Sequence, residues 1–339
     1  MEGRAPPAAN NQVRIALTEH AQYPDCMTHA RIPRFAFCGA LGALILAAAI
    51  SAARGRAQSV IPADDVKLTP AVVVAGSPEL IRVRLPATVD GALLEGALLG
   101  QKLQFFRGRD GRAWYALAGV DVKAAAGSST LQITAHTAAG AAVEDRPAID
   151  LSRTVEILPA HYRTSTLTVA PKFVEPGPDE LLRIKDERAL KDKVFAASAA
   201  QPLWSGAFRA PVHAPPTDSF GTRRTFNGEL ASIHEGMDFR AVTGTPVRAG
   251  NSGVVVLAQP LYYEGNCVVI DHGLGLFTIS MHLSRIDVHE GDRVIAGQRI
   301  GLSGATGRVT GPHLHWAVRW QNAYLYPAKL LRMDLSGVR

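Results

Sequence analysis

Short runs in which hydrophobic and polar residues alternate occupy the part of the chain that precedes its midpoint. Ile81 and Val83 alternate with Arg82 and Arg84, and a period of two is typical of a strand with one buried face. Gly, Pro and Asp separate these runs, as expected of turns between short strands. The pattern predicts a β-sandwich-like domain over residues 58–174. The further strand candidates lie at residues 103–106, 114–117, 131–135, 154–158 and 166–170.

Proline and glycine interrupt this pattern in the segment EPGPDE, residues 175–180. Residues 181–197 are charged and rich in Leu and Ala, a composition that favours a short helix. A Pro- and Gly-rich segment follows. We therefore expect a linker with a short helix at residues 175–205, and a domain boundary near residue 200.

Strand-like segments separated by glycine-rich turns make up the remainder of the chain, and no amphipathic helix pattern interrupts them. The segments are GTPVRAGNSGVVVLAQ, GNCVVIDHG, LFTISMHL, DRVIAGQRIGLSG and PHLHWAVRW. The sequence thus predicts an all-β protein, in which the N-terminal β-sandwich-like domain precedes a small antiparallel β-sheet domain at residues 206–339.

An uncharged, apolar stretch at residues 35–53 follows Arg31 and Arg34. A positive segment, an apolar core and small residues after it form a secretory signal. Candidate cleavage sites follow Ala53 and Ala57. We therefore expect an exported protein, periplasmic or extracellular and associated with the cell wall of a bacterium.

The length of the signal indicates where translation begins. A signal peptide of residues 1–57 is overlong from Met1 but has an ordinary length from Met27, so we expect Met27 to be the start and residues 1–26 to be an extension. An uncleaved signal anchor is the alternative, since the apolar stretch is just short of the roughly 20 residues that a spanning helix prefers. Only this alternative predicts a membrane tether.

Composition and charge exclude several classes of protein. The chain is 47% hydrophobic and 19% charged, which is enough apolar material for a core and excludes a wholly disordered protein. Residues 1–57 hold six of the 36 basic and three of the 30 acidic residues, so their removal lowers the formal net charge from +6 to +3. The charge then gives little reason to expect a polyanion, and we expect no nucleic-acid partner.

The number and positions of the cysteines are compatible with an exported protein that has no disulfide bond. Cys26 and Cys38 lie before or within the apolar stretch, which leaves Cys267 alone in the mature chain. One thiol forms no internal disulfide, and the chain has no CxxC zinc motif. Cys267 lies in the apolar run NCVVIDHG and is expected to be a buried small hydrophobe.

Histidines with an aspartate recur in three strand-like segments of the second domain. SIHEGMDF carries His234 and Asp238, TISMHLS carries His282, and GPHLHWAV carries His313 and His315. On an extended strand, residues two or four apart share a face. Imidazole and carboxylate are zinc ligands, and a catalytic zinc typically has three protein ligands and one open position. The surplus histidines are candidates for proton transfer, and the chain lacks the HExxH motif that would supply a glutamate base.

These motifs, in this order, resemble those of the lysostaphin-like zinc metallopeptidases that cut bacterial cell-wall peptides. The resemblance extends from about Phe220 to Leu331, through FGTRRTFNGE, HEGMDF and MHLSRIDVHEGDRVIAGQRIGLSGATGRVTGPHLHW. It covers about a third of the chain and implies that residues 206–339 form a zinc metallopeptidase domain.

The resemblance also implies a role for each residue of the motifs. His234, Asp238 and His315 stand where the family binds zinc. His282 and His313 stand where the family has the two histidines that flank the reactive water, and one of them takes its proton. Their spacing does not show which of the two does so.

Other polar residues of the second domain admit two interpretations. Arg223 and Arg224 are either contacts for substrate carboxylates or solvated loop residues, and Asn227 is a similar case. His272, in IDHGLG, is expected to be structural.

The motifs predict an exported zinc endopeptidase that hydrolyses stem or cross-link peptides of peptidoglycan. The alternative is a non-catalytic, cell-wall-binding activator of a peptidoglycan amidase, and a third possibility is a zinc peptidase with a protein substrate. Relatives cut either glycine bridges or the D-alanyl-to-diamino-acid cross-link, and the exported architecture favours the second. The resemblance also implies that an upstream segment, at 60–170 or 200–220, can plug the groove.

Overall fold

The structure, a computed structural model, describes residues 65–85, 93–136, 149–228, 230–335 and 338. The expected signal at residues 1–57 lies outside the described residues, as do Cys26 and Cys38. Within the described ranges, no helix is both long and apolar enough to cross a membrane.

The first part of the described chain forms two sheets of mainly antiparallel strands. One sheet has the strand order β1-β3-β7-β6 and the other β2-β9-β8-β4-β5. The strands are β1 (Val66–Thr69), β2 (Val73–Val74), β3 (Pro78–Val83), β4 (Leu93–Leu98), β5 (Gln101–Lys102), β6 (Phe106–Arg107), β7 (Trp114–Gly119), β8 (Gly127–His136) and β9 (Ile149–Leu158).

Alternation identified most of these strands. Ile81 and Val83 are fully buried, whereas Arg82 between them is only half-buried. The candidate at residues 103–106 is wrong for all but its last residue. Leu103 is buried outside any strand, and its backbone N–H donates to Gly96 in the neighbouring strand. The apolar run at residues 103–106 therefore predicts a buried segment correctly, but most of that segment is not a strand.

The predicted linker helix is confirmed as α1 (Pro178–Ala196). It begins at Pro178, whose fixed φ suits the first helical position, and Asp179 and Glu180 lie in its first turn, where the helix dipole favours acidic groups. Phe195 packs edge-to-face on Phe277, with ring centroids 5.2 Å apart. The helix is thereby fixed against the second part of the chain.

The second part of the chain is built on a sheet with the strand order β11-β14-β22-β18-β17-β16-β20, with β23 paired to β22. Smaller sheets, β10-β12-β13 and β15-β21-β19, flank it. A short helix, α2 (Pro327–Arg332), follows the last strand. The strands are β10 (Thr164–Leu167), β11 (Pro216–Asp218), β12 (Arg223–Phe226), β13 (Leu230–Ile233), β14 (Met237–Phe239), β15 (Pro246–Arg248), β16 (Gly253–Leu261), β17 (Gly265–Asp271), β18 (Leu276–Leu283), β19 (Arg285–Ile286), β20 (Arg293–Val294), β21 (Arg299–Leu302), β22 (Leu314–Trp320) and β23 (Ala323–Leu325).

The prediction of an all-β protein is confirmed, and one core runs through both parts. Trp204, in the predicted linker, is buried and packs edge-to-face on Phe106 of β6, with ring centroids 5.8 Å apart. Gly119 of β7 lies so close to Leu325 of β23 that a Cβ would approach its side chain to 2.5 Å. The domain boundaries stay predictions, but the two parts share buried side chains.

Candidate metal centre

Three of the predicted site residues converge because two strands pair in register. Asp238 of β14 lies opposite His315 of β22, and Asp238 Oδ1 lies 2.9 Å from His315 Nδ1. His234 Nε2 lies 3.0 Å from both Asp238 Oδ1 and His315 Nδ1. All three residues are at most 8% exposed. The structure therefore brings together the complete predicted ligand set.

His234 and Asp238 share this centre for a different reason from the one expected. A single extended strand through both residues is wrong, since β13 ends at Ile233 and β14 begins at Met237. The chain bends between them at Gly236, where a Cβ would lie 2.4 Å from His315 Nε2. Glycine lets the backbone pass that close to the imidazole.

Hydrogen bonds to other parts of the protein fix the orientation of the candidate ligand side chains. His234 Nδ1 donates to the carbonyl of Ser219 at 3.0 Å, so Nε2 faces Asp238 and His315. In a metal-binding histidine, the hydrogen bond made by the ring nitrogen that does not bind the metal commonly sets the tautomer. Burial lowers the pKa of His315 to about 4, so its imidazole is neutral, as a metal ligand must be.

Arg224, for which the sequence left two interpretations open, and Asp218, which the motifs did not indicate, lie next to Asp238. Arg224 Nη2 donates to Asp238 Oδ2 at 2.7 Å and also to Asp218 Oδ2. Asp218 Oδ1 accepts from Thr222 Oγ1 at 3.0 Å. Burial alone would raise the pKa of Asp238, but the hydrogen bonds of His234 and His315 hold it well below its usual range. Arg224 is thus a partner of this carboxylate, while Arg223 is exposed.

His282 reaches the same site through an irregularity in its strand. The pairing of β17 with β18 shifts register between Asn266 and Val268, so β18 carries one extra residue there. His282 lies at this bulge with φ of 62°, a left-handed conformation that costs a non-glycine residue energy. Met281 and His282 both line the cleft, although consecutive strand residues ordinarily face opposite sides. A bulge redirects side chains in this way.

His282 and His313 present the same nitrogen to the centre. His282 Nδ1 donates to the carbonyl of Thr306 at 2.9 Å, and His313 Nδ1 donates to that of Gly311 at 2.8 Å. Nε2 of each ring is left as a proton acceptor. The two ring centroids are 4.9 Å apart, and His313 Nε2 lies 3.7 Å from Asp238 Oδ1. Burial and the neighbouring imidazoles lower the pKa of His282 to about 3, so this ring is neutral.

The five residues line a cleft of about 540 Å³. Leu167 and Val169, which precede α1, also line it. Asn227 holds this segment, because its Nδ2 donates to the carbonyl of Val169 at 3.0 Å and its Oδ1 accepts the Val169 N–H at 2.9 Å. Asn227 therefore fixes the Val169 backbone, which forms part of one wall of the cleft. We call this contact the clamp, and the position of Asn227 in the sequence could not show it. The predicted plug over the groove stays a prediction.

The chemistry of the three donors fits zinc. Two imidazole nitrogens and one carboxylate oxygen, from His234, Asp238 and His315, lie within 4.8 Å of one another. Neutral imidazole and carboxylate are the usual nitrogen and oxygen ligands of zinc, and three protein ligands leave a position open for chemistry.

Two other predictions from the sequence are confirmed. His272 is buried, with Nδ1 2.8 Å from the carbonyl of Ser252 and Nε2 2.9 Å from Thr278 Oγ1, so it is structural. Cys267 is a buried free cysteine.

Proteins of known family are similar in sequence to the segment that carries these motifs. Residues 232–327 match Peptidase family M23. Peptidoglycan DD-endopeptidase ShyA of Vibrio cholerae is 55% identical over 83 residues, which cover 24% of this chain and 19% of the relative. Peptidoglycan DD-endopeptidase ShyB of the same organism is 41% identical over 102 residues, 30% of this chain and 23% of the relative. The matched segments thus span about a fifth of these relatives.

A solved structure extends the similarity beyond this segment. A peptidase M23 protein from Pseudomonas aeruginosa is 27% identical, with a TM-score of 0.56 over 76% of this chain and 94% of that chain. The fold around the metal centre therefore has a counterpart that includes most of the described chain. Taken with the motifs, these similarities show that residues 232–327 form a lysostaphin-like domain of peptidase family M23.

Proposed function

We propose that this protein is an exported, zinc-dependent endopeptidase that hydrolyses peptide bonds of peptidoglycan. The observation that carries the proposal is the convergence of His234, Asp238 and His315 beside His282 and His313 in one cleft. Relatives named peptidoglycan DD-endopeptidases support the substrate class.

His234, Asp238 and His315 would hold the zinc ion. Bound there, zinc supplies a Lewis acid that polarises a carbonyl and lowers the pKa of water. Arg224 keeps the Asp238 carboxylate in place through its second oxygen.

His282 and His313 would move the proton. Each has its Nδ1 proton committed to a backbone carbonyl, so Nε2 is free to accept a proton and later to give it up. In the hydrolysis, the oxygen of one water joins the carbonyl carbon, the C–N bond breaks, and one proton of that water ends on the leaving amine. The protonated imidazole also donates to the oxygen on which negative charge develops.

The complete set of five residues argues against a non-catalytic activator of an amidase. An activator needs a binding surface but has no need for three convergent metal donors flanked by two oriented histidines. Zinc content and hydrolysis together separate these functions.

The test is digestion of purified sacculi combined with metal analysis. We expect about one zinc per chain and release of soluble peptides by the wild-type protein. His315→Ala and Asp238→Ala should lose both, whereas His289→Ala should keep both, since the His289 side chain is 92% exposed in a turn. Undiminished peptide release by either ligand variant would refute the proposal.

Export is tested separately. We expect the protein in the periplasmic or extracellular fraction, and N-terminal sequencing of the mature form should begin after Ala53 or Ala57. Recovery of all the protein in the cytoplasm would contradict export.

A further inference from the structure

One loop of the cleft, residues 304–313, supports both proton-transfer histidines. It supplies the carbonyl of Thr306 to His282 and that of Gly311 to His313. Its ends are tied by the bridge between Gly304 and His313. A side chain in the middle of this loop is therefore fixed close to the reacting groups.

Arg308 lies in the middle of this loop and lines the cleft. Its Cζ lies over the rings of Phe226 and Tyr263, 4.5 and 4.6 Å from their centroids. Its backbone N–H donates to the carbonyl of Tyr263 at 2.9 Å. The aromatic contacts involve the body of the guanidinium, so the N–H groups at its edge keep their capacity to donate.

Within the part of the chain that the structure describes, the guanidinium of Arg308 has no carboxylate in contact, unlike two other cations of the cleft, Arg224 and Lys191. Arg224 pairs with Asp218 and Asp238, and Lys191 pairs with Glu264. Among the described residues, no carboxylate lies within 4.0 Å of the Arg308 guanidinium. A half-buried charge with no carboxylate in contact is costly. Burial lowers the pKa of Arg308, and the charge of Glu264, which already pairs with Lys191, opposes that shift only from a distance. A carboxylate entering the cleft would meet a rigid and unpaired donor.

We infer that Arg308 binds a free carboxylate of the substrate peptide. The inference rests on the proposed function and identifies which bond is cut. In a D-alanyl-to-diamino-acid cross-link whose diamino acid is dicarboxylic, the residue on the amine side carries a carboxylate on the carbon next to the scissile nitrogen. A glycine bridge offers no such group. A guanidinium binds a carboxylate through two parallel N–H···O bonds, so Arg308 selects the cross-link that carries one.

The experiment compares two cross-linked peptide dimers that differ at one group. In one dimer the carboxylate beside the scissile amide is free, and in the other it is a primary amide. We expect the wild-type protein to prefer the free acid in kcat/KM by about 10- to 100-fold. Arg308→Gln should abolish this preference by losing rate on the free acid alone. Arg308→Lys, which keeps a charge, should retain part of it.

The matched control is Arg223→Gln, which removes the same charge from an exposed position outside the cleft. This variant should keep the wild-type preference, and zinc content should be unchanged in all three variants. An equal loss on both dimers in Arg308→Gln would overturn the inference, because Arg308 would then only support the loop. Loss of the preference in Arg223→Gln would also overturn it, because a general positive field would explain the selectivity.

A binding measurement separates this inference from the proposed function. If the wild-type protein hydrolyses neither dimer, the proposed function fails, and the affinities of the two dimers for the intact protein decide the inference. Tighter binding of the acid that Arg308→Gln removes supports the carboxylate site. Equal affinities overturn it.

Discussion

At the scale of single residues, the candidate metal centre depends on groups that form hydrogen bonds with its ligands. Arg224 donates to Asp238 Oδ2, and Ser219 accepts from His234 Nδ1. Spacing along the chain indicated the ligands, because HxxxD and HxH are recognisable patterns. It singled out Arg224 without showing that Arg224 contacts Asp238, and it did not indicate Asp218, since these contacts are made across three strands.

Replacing Arg224 should weaken zinc binding. In Arg224→Gln, Asp238 loses its charged donor, and the nearby Asp218 carboxylate is left without its cation. We expect zinc affinity to fall about 10- to 100-fold, as for other partners of metal ligands. Competition with a chromophoric chelator measures this loss. Arg223→Gln, on the same strand but exposed, is the control, and equal affinities in the two variants would contradict the role of Arg224.

The two oriented histidines should act without holding the metal. We expect His313→Ala to retain zinc and to lose about 10²- to 10⁴-fold in turnover. His282→Asn should behave alike. Asparagine is the choice there because it tolerates the left-handed conformation at φ of 62°, so backbone strain does not obscure the result. Metal analysis beside steady-state rates makes the test, and loss of zinc in either variant would make that histidine a ligand instead.

At the scale of elements, the sequence predicted strands well wherever alternation or long apolar runs marked them. β7, β8 and β9 cover the candidates at 114–117, 131–135 and 154–158. The bulge in β18 could not be predicted, because the extra residue is defined only by the register of β17. The convergence of His282 with the other histidines thus follows from strand pairing.

The clamp between Asn227 and Val169 should stabilise one wall of the cleft. Asn227→Gly keeps a residue suited to φ of 50° but removes two side-chain hydrogen bonds. We expect the free energy of unfolding to fall by about 1–3 kcal/mol and KM to rise, because Leu167 and Val169 line the cleft. Denaturant unfolding and peptide hydrolysis measure these effects. Asn227→Asp, which keeps the acceptor for the Val169 N–H, should lose less, and equal losses would argue against the paired hydrogen bonds.

At the scale of the whole molecule, the contacts between the two parts of the chain were beyond the reach of the sequence. Periodicity shows which face of a strand is buried but does not show what covers it. Glu79 of β3 is an example, since it is fully buried and burial raises its pKa in spite of the neighbouring Ser77 hydroxyl. Lys329 of α2 faces it closely enough to oppose the rise in its pKa. A residue of the first part thus depends on a helix near the end of the chain.

This buried carboxyl should make stability fall as pH rises. Burial raises the pKa of Glu79 from 4.5 to about 8, so between these values the folded protein keeps a proton that the unfolded chain has lost. Stability from this group is therefore complete below about pH 4.5 and declines until about pH 8. Glu79→Gln should remove the decline and exceed the wild type in stability at pH 9 by a few kcal/mol, roughly. Urea unfolding at pH 5, 7 and 9 measures the difference. Glu95→Gln, at an exposed position of β4, should follow the wild type, and a parallel pH profile in Glu79→Gln would show that the carboxyl ionises freely.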